Sequence, residues 1–419
     1  MTSGGQTPPA GLGSRLRALL IDTAPIRRHP QFRRLVIGQS VSSLGSQLTQ
    51  VAVPFQVYVI TRSPLATGLV GLAMLGPVLT FALLGGALAD RYDRRALLLL
   101  SDVVLGLSSA LLAINAFLPR PSLAAVYLLV AIAGGAGAVQ RTAFRSSIAR
   151  LVDPELLASA NATEGVYYNV ASIGGPALAG ALLATLGVPS VYAIDAASFG
   201  FSALVVLTMA PIRPLGEASA VSLRAIGEGF RFVWHSPVVL ASQVLDLNAM
   251  FLGLPTALFP AIGLTRFGGP AAVGLLYGAA SAGSLAIVLL SGPIGRVRRQ
   301  GRGLLLAVVA WGLAITGFGL APALLPALLF LALAGAADMV SGIYRSALVQ
   351  TVTPDRLRGR MSGVEMCFYT TGPLLGEVES GFVASIVGLT GSVVLGGVGC
   401  VLGAVLVAAR WRELLAYRS

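Results

Sequence analysis

Five acidic side chains lie inside long apolar runs of this sequence: Asp195, Asp246, Asp338, Glu377 and Glu379. A charge at the centre of a lipid-embedded helix costs roughly 2.5–3.5 kcal/mol, so each of these acids needs a partner or a task. One task is to take up a proton and release it during a cycle. On that reading Asp246, Asp338 and Glu377, with Glu379 next in order, are the proton-coupling candidates. The other reading is a buried pair or hydrogen bond that holds helices together, and the context Ile194-Asp195-x-x-Ser198-Phe199 favours it for Asp195. Asp102, Glu164 and Glu365 fall nearer the ends of their runs, where water is expected to reach them. His29 and His235 stand outside the apolar runs, which excludes a histidine relay within the membrane.

Neutral polar residues are also patterned. Gln39, Ser43, Ser46, Gln47 and Gln50 follow spacings of three and four, which is one face of a helix. That face suits a substrate cavity better than lipid. Tyr167-Tyr168 and Phe368-Tyr369 occupy matched positions in the two halves of the chain. Rings there suit an amphipathic, ring-bearing substrate, so Tyr168, Phe368 and Tyr369 join Gln39, Ser43, Gln47 and Gln50 as cavity candidates. Packing within the bundle is the alternative for the aromatics.

Composition then says which elements carry these residues. Of 419 residues 55% are hydrophobic and 11% charged, whereas a soluble domain carries about 25% charged residues. Lipid must be the solvent for most of the chain. The formal charge of +12 comes entirely from arginines clustered between apolar runs, which reads as membrane topology rather than nucleic-acid binding. No lysine is present, so an ATP-binding G-x-x-x-x-G-K-[ST] loop is impossible. Cys367 and Cys400 both fall in apolar runs and offer neither a disulfide framework nor a metal site. No Ser/His, His/Glu or paired-cysteine arrangement supports an enzyme. The first thirty residues lack the apolar region of a cleavable signal.

A crossing needs about 20 mostly apolar residues, and segments of that kind fall near 35–60, 67–89, 96–117, 123–144, 165–186, 189–209, 238–264, 272–294, 303–320, 323–343, 363–387 and 391–409. With the N-terminus inside, 26 of the 29 arginines share one side and only Arg62, Arg120 and Arg266 are left on the other. Loops that keep arginine are cytoplasmic, so an even helix count with both termini cytoplasmic is expected. On this count Arg145 and Arg345 fall just outside their segments on the cytoplasmic side, and Arg141 lies at the cytoplasmic end of the segment 123–144. The stretch Leu223 to Trp234, with Leu223, Ile226, Phe230 and Val233 on one face, reads as an interfacial amphipathic helix. The halves repeat: Arg145-Ser146, Asp153-Pro154-Glu155 and Leu157 recur 200 positions later as Arg345-Ser346, Thr353-Pro354-Asp355 and Leu357. The expected division is a cytoplasmic segment 1–33, a six-helix bundle 34–209, a linker 210–236, a second six-helix bundle 237–410 and a tail 411–419.

The most specific motif is Gly86-Ala87-Leu88-Ala89-Asp90-Arg91-Tyr92-Asp93-Arg94-Arg95 in the turn after the second segment. It resembles the signature loop of the major facilitator superfamily, with Gly292 to Arg302 as a degraded partner in which Arg296 stands where the first copy has Asp90. The resemblance implies that Gly86, Asp90, Arg91, Arg94 and Arg95 gate the cytoplasmic side. A narrower resemblance, to the enterobactin exporter branch beside drug and macrolide efflux proteins, rests on His29-Pro30-x-Phe32-Arg33, Val51-Ala52-Val53-Pro54, Leu118-Pro119-x-Pro121-Ser122-Leu123 and Gln350-Thr351-x-Thr353-Pro354. Gly174-Gly175-Pro176-Ala177-Leu178-Ala179-Gly180 resembles the antiporter motif, and it assigns Gly175, Pro176 and Gly180 to close packing and bending, although Ala171 stands where that motif prefers glycine.

The expectation is an all-α integral membrane protein of twelve transmembrane helices in two pseudo-symmetric six-helix bundles, the major facilitator fold. It is a monomer of the inner or plasma membrane that exports a siderophore or amphipathic natural product by alternating access, in exchange for H+. No cofactor or metal is expected. Its partners are a small-molecule substrate and membrane lipid, with no nucleic acid. Multidrug or macrolide efflux is the alternative, followed by a non-transporting receptor on the same scaffold.

Overall fold

The computed structural model describes residues 23–213, 223–289 and 299–417. After a short α1 (Ala24–Arg28), the first bundle contains α2 (Pro30–Thr61), α3 (Pro64–Arg91), α4 (Arg94–Phe117), α5 (Leu123–Leu151), α6 (Leu157–Thr185) and α7 (Gly187–Leu207). A connecting helix α8 (Leu223–His235) leads to the second bundle: α9 (Pro237–Leu252), α10 (Phe259–Thr265), α11 (Pro270–Leu289), α12 (Gln300–Leu320), α13 (Leu324–Val352) and α14 (Arg358–Arg410), followed by α15 (Arg412–Ala416). Helix starts are written in the sequence: Pro30, Pro64, Pro237 and Pro270 open their helices, where a missing N–H costs nothing. The Ser63 and Ser122 hydroxyls accept from the backbone N–H groups of Ala66 and Ala125.

Ten stretches among the described residues are long and apolar enough to span a membrane. The chain crosses twelve times, for two reasons. First, α14 breaks at Gly388, whose φ of 80° only glycine adopts freely, so its limbs 358–387 and 389–410 are separate crossings. Second, α2 is a crossing that hydropathy undercounts, because its polar face dilutes its apolar content. The seventh crossing is α9 and α10 in series, interrupted at Gly253–Pro255.

In the first bundle α2 packs on α6 and α7, α4 on α7, and α3 on α5; in the second, α9 packs on α14, and α13 on α11 and α12. Each bundle has its own apolar interior, with Phe32, Leu48 and Tyr192 in the first and Leu245, Phe318 and Leu348 in the second. The bundles touch along two seams, α3 against the first limb of α14 and α6 against α11. Helix starts and ends near residues 30, 93, 153 and 212 cluster on one face, the termini face, through the bonds Ile212 N–H to Asp93 Oδ1 (2.8 Å) and the pair His29–Asp153 (3.3 Å). The opposite side is the far face.

Three expectations change. Helices α5, α6, α13 and α14 run one to two turns beyond their apolar segments on the termini face, so Arg145 and Arg345 lie within helices and not in loops. Asp102 is not reached by water: it is 1% exposed and accepts from Gln140 Nε2 (2.5 Å) and Ser202 Oγ (2.8 Å). The connecting helix α8 does not simply lie on lipid. Val233 is buried in the second bundle's core, Phe230 packs on Phe368 with ring centroids 6.0 Å apart, and Glu228 pairs with Arg360, which docks α8 on α14. The side chains of Leu223, Arg224 and Ile226 lie outside the described residues.

Candidate functional site

Small residues let the two seams close. A Cβ added at Gly180 would lie 2.9 Å from Gly274 Cα, and one at Gly381 would lie 2.6 Å from Pro64 O. One at Gly71 would lie 2.5 Å from Leu374 O and 2.7 Å from Glu377 Oε2. Gly68, Pro64 and Leu65 begin α3, while Gly180 ends α6, so both seams sit toward the far face. The antiporter-like segment thus has two neighbours. Gly175 faces Gln47 of α2, whose Cβ would lie 2.5 Å from a Cβ added at Gly175, and Pro176 and Gly180 press on Gly274 of the opposite bundle. Toward the termini face the bundles separate. Cβ atoms at Gly165, Gly174 and Gly342 would meet nothing within 4 Å, and Tyr168 and Tyr369, from opposite bundles, are 54% and 65% exposed. The result is a gap between the bundles, closed at the far face and open at the termini face.

The α2 stripe lines this gap unevenly. Ser46 and Gln50 are exposed, Ser43 and Gln47 are half-buried, and Gln39 is buried with no hydrogen-bond partner for its Nε2. The aromatic pairs divide in the same way in each half. Tyr167 packs edge-on to Phe144 (6.1 Å) and Phe368 packs on Phe230, each within its own half, so Phe368 is a packing ring and not a free cavity wall. The following residue of each pair, Tyr168 and Tyr369, enters the gap, where the two lie within electrostatic range of each other.

The intramembrane acids separate by environment. Asp246 on α9 pairs with Arg345 on α13. This is the buried pair that was the alternative to a titrating acid. Glu377 stands in the α3–α14 seam, accepting a long bond from Thr256 Oγ1 (3.4 Å). Asp338 is the middle residue of α13, half-buried on the gap side within range of Tyr369. Glu379 is half-buried on the same limb as Glu377. Asp195 accepts from Thr49 Oγ1 and Ser109 Oγ, both at 2.6 Å, joining α2, α4 and α7.

The turn between α3 and α4 is built from more residues than its signature names. Asp90 lies 3.9 Å from the Arg94 guanidinium, and Arg94 is itself buried. Arg95 donates to Val206 O (3.1 Å) and Leu207 O (2.7 Å), capping α7, where the helix dipole leaves negative charge. Asp93 accepts from the N–H groups of Arg95 and Ile212, a role that sequence reasoning missed. Arg91 is exposed beside the Tyr92 ring. The glycine pressed on a neighbour is Gly85, whose Cβ would lie 3.0 Å from Thr142 Oγ1, and the turn's wider packing extends past Gly86. Arg296 and most of the second copy lie outside the described residues.

Sequence reasoning also missed Arg141 as a gap residue. Its place within the segment 123–144 already puts it one turn from Gly137, on the glycine-rich face of α5.

A family model described as transmembrane secretion effector matches residues 22–414. The chain is 31% identical over 401 residues to the enterobactin exporter EntS of Citrobacter koseri, covering 96% of each. It is 30% identical over 400 residues to that of Escherichia coli O1:K1, again with 96% of each covered. Among solved structures, the nucleoside transporter NupG aligns with a TM-score of 0.72 at 15% identity over 92% of this chain and 99% of its own. A bacterial homologue of the human lysosomal transporter Spinster, inward-facing and unoccupied, aligns with a TM-score of 0.72 at 17% identity over 93% and 98%. These structural likenesses support the fold alone.

Proposed function

Because the chain belongs to the transmembrane secretion effector family of the major facilitator superfamily and is a multi-pass inner membrane transporter that exports a small molecule, we propose that its substrate is a siderophore or related amphipathic natural product. In this reading export proceeds by alternating access with H+ moving inward, and the termini face is cytoplasmic. The observation that carries it is the gap itself, bordered by the exposed Gln50, Tyr168 and Tyr369 and closed at the far face by the small-residue seams together with Leu264, Val273 and Tyr277 packed against the first bundle. Rocking about such seams exchanges one opening for the other without breaking either bundle's core. Enterobactin, the substrate named for the relatives, is the first candidate.

Proton exchange needs an acid whose surroundings differ between the two states. Glu377 meets this requirement best, because opening the far face pulls α3 away from it; Asp338 is second, because closing the termini face brings the other bundle toward it. Asp246, already held by Arg345, is third. Asp90 and its neighbours on α4 supply the gate at the termini face.

The test is uphill uptake of enterobactin into inverted vesicles under an imposed pH gradient, with binding measured separately. Glu377→Gln or Asp338→Asn is expected to keep binding and exchange but lose gradient-driven accumulation. If Glu377→Gln, Asp338→Asn, Asp246→Asn and Glu379→Gln all accumulate like the parent, the transport is not coupled to protons through these acids.

A further inference from the structure

Arg141 is a gap-facing cation with no carboxylate partner among the described residues. Gly137 is the middle residue of α5, and a Cβ there would lie 3.6 Å from Arg141 Nη1. The guanidinium therefore folds back along the helix to about one turn from the middle of the apolar segment 123–144, a depth at which a lone cation is expensive. The buried Arg345 is matched by Asp246, and even the exposed Arg145 by Glu164 (3.3 Å). Arg141 has no carboxylate within ion-pairing distance among the described residues. It is exposed to the gap, and its charged or titratable neighbours are Tyr168, Tyr369 and Arg145. Two exposed phenols, one from each bundle, thus lie within electrostatic range of a fork of N–H donors, with Asp338 and Arg345 on the other side of Tyr369.

We propose that Arg141, Tyr168 and Tyr369 form a recognition point for an acidic oxygen group, a carboxylate or an ionised phenol, carried on an aromatic cargo. This rests on the reading of the gap as a cargo pathway and adds the chemistry of what enters it. A guanidinium recognises a carboxylate or catecholate by two parallel hydrogen bonds, strengthened where water is scarce. Tyr168 and Tyr369 offer ring faces and hydroxyls on either side, so the anion and its ring are read together. Because the two tyrosines belong to opposite bundles, cargo held between them touches both halves of the machine.

The experiment uses the purified full chain in nanodiscs and four probes: 2-naphthoate, its neutral amide, the cationic 2-naphthylmethylamine, and octanoate as an anion without a ring. Naphthoate is expected to bind about tenfold or more tighter than the other three. Arg141→Gln should abolish that preference, Arg141→Lys should keep part of it, and Arg62→Gln at the far face should leave it intact. Size-exclusion profiles and melting temperatures of the variants identify any that fail to fold, and Arg141→Lys remains informative in that case. A naphthoate affinity no better than that of the amide or octanoate overturns the proposal. So does an unchanged preference in folded Arg141→Gln, or an absence of naphthoate binding up to millimolar concentration. Transport is read separately in vesicles. A chain that binds by charge but exports nothing refutes export and keeps the recognition point, whereas one that exports without charge preference does the reverse.

Discussion

At the scale of the residue, the two most deeply buried acids of the first bundle are answered by groups on other helices. Asp102 on α4 is held by Gln140 on α5 and Ser202 on α7. Asp195 on α7 is held by Thr49 on α2 and Ser109 on α4, and Tyr192 donates to Gln56 Oε1 (2.8 Å). These bonds join α2, α4 and α7 into one block, which suits a half that must move as a rigid body. Replacing Asp102 by the apolar Val strands a Gln140 N–H and a Ser202 hydroxyl in a dry interior, at a cost of about 1–3 kcal/mol. The expected outcome is a lowered melting temperature for Asp102→Val, with a smaller loss for Asp102→Asn, which keeps a carbonyl to accept one bond. A melting temperature equal to the parent's would mean that Asp102 is solvated after all. That the sequence suggested a wet position for Asp102 has a simple cause. Distance from the end of an apolar run reports depth along the membrane normal, but water also needs a lateral path, and α5 and α7 close it.

At the scale of the element, helices that border the gap carry the irregularities. Internal prolines occur in α2 (Pro54), α3 (Pro77), α6 (Pro176) and α14 (Pro373), each removing a backbone bond and allowing a bend. Where α6 meets α11, Gly180 and Gly274 bring two backbones into direct contact. Gly274→Val puts two methyl groups where no side chain fits, so the α6–α11 seam must part. A reporter cysteine at Gln50, in a chain with Cys367→Ser and Cys400→Ala, should then react with a membrane-impermeant maleimide from the far face. Without the wedge it should react only from the termini face. Equal labelling patterns, compared in vesicles of both orientations, would show that this seam does not close the far side. The seam was half legible: the glycines were found as a close-packing motif, but one chain read in order does not say that their partner is Gly274, almost a hundred residues on. Helix ends were similarly misjudged, because α5 and α13 continue as polar helix past the lipid boundary that hydropathy detects. Arg145 and Arg345 were left outside their segments for that reason, and Arg141 was counted only as a charge on the cytoplasmic side, although its helical spacing from Gly137 was already in the sequence.

At the scale of the whole molecule, twelve crossings and the two-fold repeat were legible because both are periodic properties of the chain, whereas the gap's state was not, because it depends on which seam is closed. The architecture makes a definite demand: the far-face seams must open and close in each cycle, while the buried polar block of each bundle stays intact. The contact of Leu65 with Gly381 allows this to be tested directly. A Cβ at Gly381 would lie 3.2 Å from Leu65 Cα but 2.6 Å from Pro64 O, so Gly381 itself is left in place, and cysteines at Leu65 and at the next residue, Phe382, are joined by a short bis-methanethiosulfonate in the chain lacking Cys367 and Cys400. The cross-link should pin α3 to the first limb of α14 and hold the far face shut. Substrate binding from the termini face should survive the cross-link, since Gln50, Tyr168 and Tyr369 remain exposed in the gap. Transport should fall to the level of empty vesicles and return on reduction, because a machine locked in one of its two states binds without turning over. Export that continues through a fully formed cross-link, verified by gel shift, would mean that the substrate leaves by a route other than the far-face seam.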